Sequence, residues 1–203
     1  MPISLVIFLH GVGSRGSDLA PLSSVLAPHL PEAVFVAPDG PFPFDGGGAG
    51  RQWFSIRGVT EANRPQRIMD ARADFDAALS GIISKHGLSE RLDQVALVGF
   101  SQGSIMALDA LASGRWSLGA IVAFSGRLAS PEPLTPSDTT RTLLIHGEAD
   151  ATIPARESVA AEQRLKAAGA DVTVHLLPAV VHTISSEGAA LAASFLAESP
   201  GAL

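Results

Sequence analysis

The sequence predicts an α/β protein, with a mostly parallel central sheet of about six strands and helices on both faces. Three observations predict it. Apolar, strand-length runs recur along the whole chain. Helical segments of about ten residues or more separate them, as βαβ crossovers require. The runs are near-continuous Val, Ile, Leu and Ala, the pattern of strands covered on both faces.

The first strand is expected over 3–9, ending at His10-Gly11. A helix over 17–29 follows, opened by Ser17-Asp18 with Pro21 in its first turn. The second strand is expected over 33–37. The stretch from Pro38 to about Asn63 breaks the rhythm with Pro38, Pro41, Pro43, a Gly46-Gly47-Gly48 triplet and four aromatics; so long a connection marks a functional loop. A helix is expected over 66–86 and a third strand over 93–99, which carries Val95-Ala96-Leu97-Val98. The rest reads as helix 103–113, strand 118–124, a Pro-rich excursion, strand 141–146, helix 155–169, strand 172–177 and helix 184–197. No linker divides the chain, so one domain over 1–203 is expected.

Composition narrows the function classes. With 46% hydrophobic and 17% charged residues, the 203-residue chain is globular. Its net charge is −6 and it has no Lys/Arg run, which argues against nucleic acid and acidic membranes as partners. There is no cysteine, so disulfides, thiolate catalysis and Cys-ligated metals are excluded together. No histidine pair has metal-ligand spacing with carboxylates nearby, and neither a metal nor a cofactor is expected. The N-terminus lacks the basic start and cleavage site of a signal peptide, and no apolar stretch reaches the ~18 residues that span a bilayer. A cytoplasmic protein is expected, with no stable membrane insertion; monomer and homodimer both remain open.

The most informative motif is Gly99-Phe100-Ser101-Gln102-Gly103, a Gly-x-Ser-x-Gly between an apolar strand and a helix. That is the nucleophile-elbow pattern, in which a sharp turn projects the serine hydroxyl clear of the backbone. A serine that merely caps the helix is the plainer alternative. Two partners lie at the ends of later strands, Asp150 in His146-Gly147-Glu148-Ala149-Asp150 and His182 in Pro178-Ala179-Val180-Val181-His182. Parallel sheets gather such positions on one edge. A serine hydroxyl needs an imidazole to take its proton, and the imidazole needs a carboxylate to hold its tautomer. Asp150 could instead cap the following helix, and Glu148 is a competing acid. His10 and His146, each before a glycine, are expected to shape their turns.

An oxyanion hole is expected from the backbone N–H groups of Gln102 and Val12, the latter in the small-residue loop after the first strand. Phe42, Phe44, Trp53 and Phe54 are the candidate floor for an acyl or alcohol group, with sealing of the core as the alternative for each. The same first loop also spells a dinucleotide-type Gly11-Val12-Gly13-Ser14-Arg15-Gly16, with Asp39 as its ribose acid. Against that reading, the helix is expected to start after the last glycine, and Asp39 sits in a rigid Pro38-Asp39-Gly40-Pro41 turn.

Together with Phe8-Leu9-His10-Gly11-Val12-Gly13, Arg51-Gln52-Trp53-Phe54, Ile153-Pro154 and His182-Thr183-Ile184, these motifs resemble the phospholipase/carboxylesterase family of α/β-hydrolases over most of the chain. The resemblance implies an α/β-hydrolase fold with its N-terminal hairpin trimmed and a serine esterase needing no cofactor. Its substrates would be small-molecule esters of small to medium acyl chains, with lysophospholipids or thioesters as variants. By matching position it makes Ser101, Asp150 and His182 the catalytic triad and Val12 and Gln102 the oxyanion hole. Val181 and Ala179 stand where the family usually has glycine, and Ser55 where it has aspartate. Val181 is expected to strain the histidine loop or fill part of the acyl pocket, narrowing the substrate range. A non-catalytic small-molecule receptor of the same fold is the reading from another class.

Overall fold

The computed structural model describes residues 1–198; residues 199–203, the end of the expected domain, lie outside the described residues. Six strands form one sheet: β1 (Leu5–Leu9), β2 (Val34–Val36), β5 (Val95–Phe100), β6 (Ala120–Phe124), β7 (Arg141–Gly147) and β8 (Val172–Leu177). Their order is β2-β1-β5-β6-β7-β8, and every pairing is parallel. Six strands were expected from the apolar runs, and each expected run overlaps one, β5 and β7 each ending one residue later than expected.

The alternation along each strand decides which helices cover which face. Leu5, Ile7 and Leu9 point into one core with α3 (Arg64–Lys85), α4 (Gln102–Ala112) and α5 (Arg156–Ala167). Val6 and Phe8 point into the other, with α2 (Ser23–Leu26) and α6 (Ser186–Ala197). In α3 the buried residues are Ile68, Ala71, Phe75, Leu79 and Ile83, the three- and four-residue spacing of a single apolar stripe. Every residue of α4 is buried, so it is the central helix of its layer.

Two segments differ from expectation. The helix expected over 17–29 is broken into α1 (Gly16–Leu19), a 3-10 turn (Ala20–Leu22) and α2, with Pro21 in the first turn of the 3-10 piece. Proline has no N–H to donate back along an α-helix, so the ladder does not continue through it. The long loop after β2 carries a small antiparallel hairpin, β3 (Phe42–Pro43) with β4 (Arg51–Gln52). Strands of two residues leave no periodicity to read.

Candidate active site

The order in which strands are added reverses beside β1. From β1 the chain moves outward to β2, then returns to lay β5 on the other side of β1. The segments leaving the C-terminal ends of β1 and β5 therefore part, and a crevice opens at that switch point. The first segment carries Gly11 and Val12 and the second carries Ser101.

Ser101 has φ 53° and ψ −112°, a conformation that L-residues rarely adopt. Its neighbours make the turn possible. A Cβ on Gly99 would lie 2.6 Å from the Ser104 nitrogen, and one on Gly103 would lie 2.0 Å from the Leu9 carbonyl oxygen. Gly99 thus serves the turn itself, whereas Gly103 lets α4 approach β1. The Ser101 N–H donates to the Phe124 carbonyl at 2.9 Å, which ties the turn to β6.

The three chemistry-bearing side chains meet across the sheet edge. His182 Nε2 lies 3.0 Å from Ser101 Oγ, and His182 Nδ1 lies 2.6 Å from Asp150 Oδ2. A carboxylate only accepts, so Nδ1 carries the hydrogen and Nε2 is free to accept from the serine hydroxyl. Asp150 Oδ1 accepts the N–H groups of Thr152 at 2.8 Å and Ile153 at 2.9 Å. Burial alone would raise the Asp150 pKa, but the His182 hydrogen bond and these two N–H donors hold it below the usual aspartate value. Phe100, the residue before the serine, packs its ring 4.9 Å from that of His182. Glu148, the rival acid, is exposed. The two loops meet at Gly147, where a Cβ would lie 2.1 Å from the Val180 oxygen, while the Ala149 N–H donates to that same oxygen at 3.0 Å.

Val12 and Ser101 line one cleft of about 520 Å³, with Leu19, Phe100 and Ile184 as apolar wall and Ser14, Asp18, Thr152 and Thr183 as polar rim. The Gln102 N–H opens α4, so the positive end of that helix lies at the serine. Neither the Val12 nor the Gln102 N–H donates to another group among the described residues. The arrangement is suited to a nucleophile, a base and two amide donors acting on one carbonyl.

Comparison with known proteins agrees. The family model described as phospholipase/carboxylesterase matches residues 2–199. The chain belongs to the phospholipase/carboxylesterase family. Esterase YpfH of Escherichia coli (strain K12) is 36% identical over 182 residues, covering 90% of this chain and 77% of that protein. Acyl-protein thioesterase 1 of Saccharomyces cerevisiae (strain ATCC 204508 / S288c) is 28% identical, covering 71% of this chain and 68% of its own length. Among solved structures, esterase PE8 superposes with a TM-score of 0.85 at 34% identity, over 97% of this chain and 95% of that one.

Within this family member the aromatic loop departs from expectation. Trp53 is 1% exposed; its indole N–H donates to the His10 carbonyl at 2.9 Å and its ring packs against Phe75, so it is a core residue. Phe42 and Phe54 line a separate cavity of about 330 Å³ between the loop and α3, which shares no lining residue with the cleft at Ser101. Phe44 lies over Gly13. Val181 is 56% exposed and does not line the cleft. Positive φ in the histidine loop belongs to Ala179, at 60°. The apolar wall comes instead from Leu19, beside Asp18, and from Phe100 and Ile184, which lie within quoted motifs but had been given no pocket role.

The dinucleotide-type glycines have another explanation. A Cβ on Gly16 would lie 2.0 Å from the Ala37 oxygen, and Asp39 accepts from the Gly16 N–H at 2.8 Å and from Arg15 at 2.9 Å. Asp39 therefore clamps the loop, and α1, at four residues, is too short to present a helix end to a pyrophosphate.

Three residues support the site through contacts that the sequence did not show. The Gln102 side chain accepts from the Trp53 N–H and donates to the Phe54 carbonyl, both at 2.8 Å. His10 was expected to shape its turn and does so from a buried position: Nε2 accepts from the Gly40 N–H at 2.8 Å and Nδ1 donates to the Gly11 carbonyl at 2.7 Å. Burial drives its pKa down, against the raising effect of the Gly11 bond. Asp109, buried in α4, accepts a two-pronged bond from Arg72 at 2.9 and 2.8 Å, with Arg115 and Ser130 completing its shell. Among the described residues no group of three or more His, Cys, Asp or Glu is arranged to hold a metal ion. No described helix is long and apolar enough to cross a membrane.

Proposed function

We propose that the chain is a serine carboxylesterase that cleaves esters of small to medium acyl chains through an acyl-enzyme on Ser101. The observation that carries this reading is the continuous hydrogen-bond chain from Ser101 Oγ to His182 Nε2 at 3.0 Å and from His182 Nδ1 to Asp150 at 2.6 Å. His182 takes the hydroxyl proton as Oγ attacks the carbonyl carbon. The oxyanion rests on the N–H groups of Val12 and Gln102, and the alcohol leaves with the proton from His182. Water, activated by the same imidazole, then releases the acid. Asp150, whose pKa is held low, stays ionised throughout.

The cleft beside Ser101 supports acyl or alcohol groups seated against Leu19, Phe100 and Ile184. The likeness to an acyl-protein thioesterase brings thioesters into the same proposal, and lysophospholipids stay within it as bulkier esters. The compartment proposed with this reading is the cytoplasm. Labelling with a fluorophosphonate probe, followed by peptide mapping, tests the assignment. Ser101 is expected to carry the label, and Ser101→Ala to lose both label and turnover of aryl esters. Normal turnover in that variant would overturn it. A panel of aryl, glyceryl and thiol esters of graded acyl length then ranks substrates.

A further inference from the structure

His146 is fully buried at the end of β7, four residues before Asp150, and the proposed mechanism gives it no step. Both of its nitrogens are engaged. Nε2 lies 2.8 Å from the Ile153 carbonyl oxygen and Nδ1 lies 2.7 Å from Ser158 Oγ. A carbonyl only accepts, so Nε2 carries the hydrogen and Nδ1 takes the hydrogen of the Ser158 hydroxyl. The same Nε2 edge stands 3.2 Å from Asp150 Oδ2, the oxygen that faces His182.

We infer that His146 is a positioning residue for the catalytic acid, with Ser158 as the donor that anchors its Nδ1 edge. The inference rests on the reading of Asp150 as that acid. Residues 150–154 have no helix or strand of their own to hold them. Ile153 is where the contacts converge. Its N–H holds Asp150 Oδ1 and its carbonyl is held by His146. The positive N–H edge of His146 also lies beside Oδ2, which favours one orientation of the carboxylate. An apolar side chain of the same size would leave the Ile153 carbonyl and the Ser158 hydroxyl without these partners in a buried site. A histidine whose role was to shape the turn at Gly147 would need neither Ser158 nor contact with the carboxylate.

The test uses the full-length chain, with rates expressed per site titrated by fluorophosphonate. Wild type must first be labelled at Ser101; failure there sinks the hydrolase reading itself, separately from this inference. His146→Leu is then expected to lower kcat about 10- to 100-fold at unchanged KM, the size of effect that a small misplacement of a catalytic group produces. The far-downfield proton resonance of the His182 Nδ1–H, assigned by its loss in His182→Ala, is expected to move. His146→Gln, which can present its Nε2 hydrogen near the position of the imidazole Nε2, is expected to recover most of the rate. Should His146→Leu fail to fold, Ser158→Ala decides, because it keeps the imidazole and removes the donor that anchors its Nδ1 edge; a several-fold fall in kcat and a moved resonance are expected. Wild-type kcat per titrated site with an unmoved resonance, or Gln no better than Leu, would overturn the inference.

Discussion

Ser101 and Ala179 both have φ in the left-handed range, at 53° and 60°, yet their circumstances differ. Ser101 is held on both sides, its N–H by the Phe124 carbonyl and its carbonyl by the Ile105 N–H, and the strain aims its hydroxyl at His182. Ala179 lies in the connection from β8 to the histidine and is exposed. Ala179→Gly is therefore expected to stabilise the protein by about 0.5–1 kcal/mol, because glycine adopts positive φ without the Cβ clash. Thermal unfolding checks this, with a rise in Tm of about 1–4 °C expected. Val181→Gly is expected to leave the acyl-length profile unchanged, since the side chain faces solvent, and the ester panel measures that directly. The sequence drew attention to Val181 because it is β-branched and adjoins the histidine. The sign of φ cannot be read from an alanine; the glycine usual at 179 in the family was the available signal.

Between elements, the closest tolerances lie where loops cross. Gly147 at the end of β7 touches the Val180 carbonyl after β8, so the loops bearing Asp150 and His182 lean on each other. A Cβ 2.1 Å from that oxygen forces backbone to move. Gly147→Ala is expected to lower kcat about 100-fold, because a displacement near 1 Å between acid and base suffices for that. Steady-state kinetics with one aryl ester separates this from an effect on KM. Asp109 anchors the elbow helix to α3 through Arg72. Asp109→Ala is expected to destabilise the protein by about 1–3 kcal/mol, since it removes the shared acceptor of two half-buried guanidinium groups and of the Ser130 hydroxyl; urea unfolding reads the change. Elements were legible where the pattern is long: six apolar runs gave six strands, and the stripe from Ile68 to Ile83 gave α3. The Phe42–Pro43 hairpin strand was too short to show, and Pro21, where the helix breaks, was read as a first-turn proline of one helix opened by Ser17-Asp18.

Across the whole molecule, the meeting of Ser101, Asp150 and His182 was legible because each follows a strand and parallel strands end together. Contacts made by side chains were not, since the Gln102 carboxamide and the Trp53 backbone, or Asp109 and Arg72, meet only after the elements pack. Those contacts also set the pH dependence of stability. His10 has a lowered pKa, so its contribution is complete above the ordinary histidine value of 6.5 and is lost as pH falls, when the unfolded chain binds the proton first. Asp150 and Asp109 also have lowered values, and their contributions persist down to the ordinary aspartate value of 3.8 and are lost below it. Urea midpoints are therefore expected to decline in two steps, beginning near these two values, and His10→Gln is expected to abolish the first. One residue joins these scales. In the proposed mechanism Gln102 offers its backbone N–H to the reacting carbonyl, while its carboxamide accepts from the Trp53 N–H and donates to the Phe54 carbonyl. Remodelling that aromatic segment to admit a different ester would thus disturb the cradle for the developing negative charge, so in this scaffold selectivity and speed evolve as linked traits.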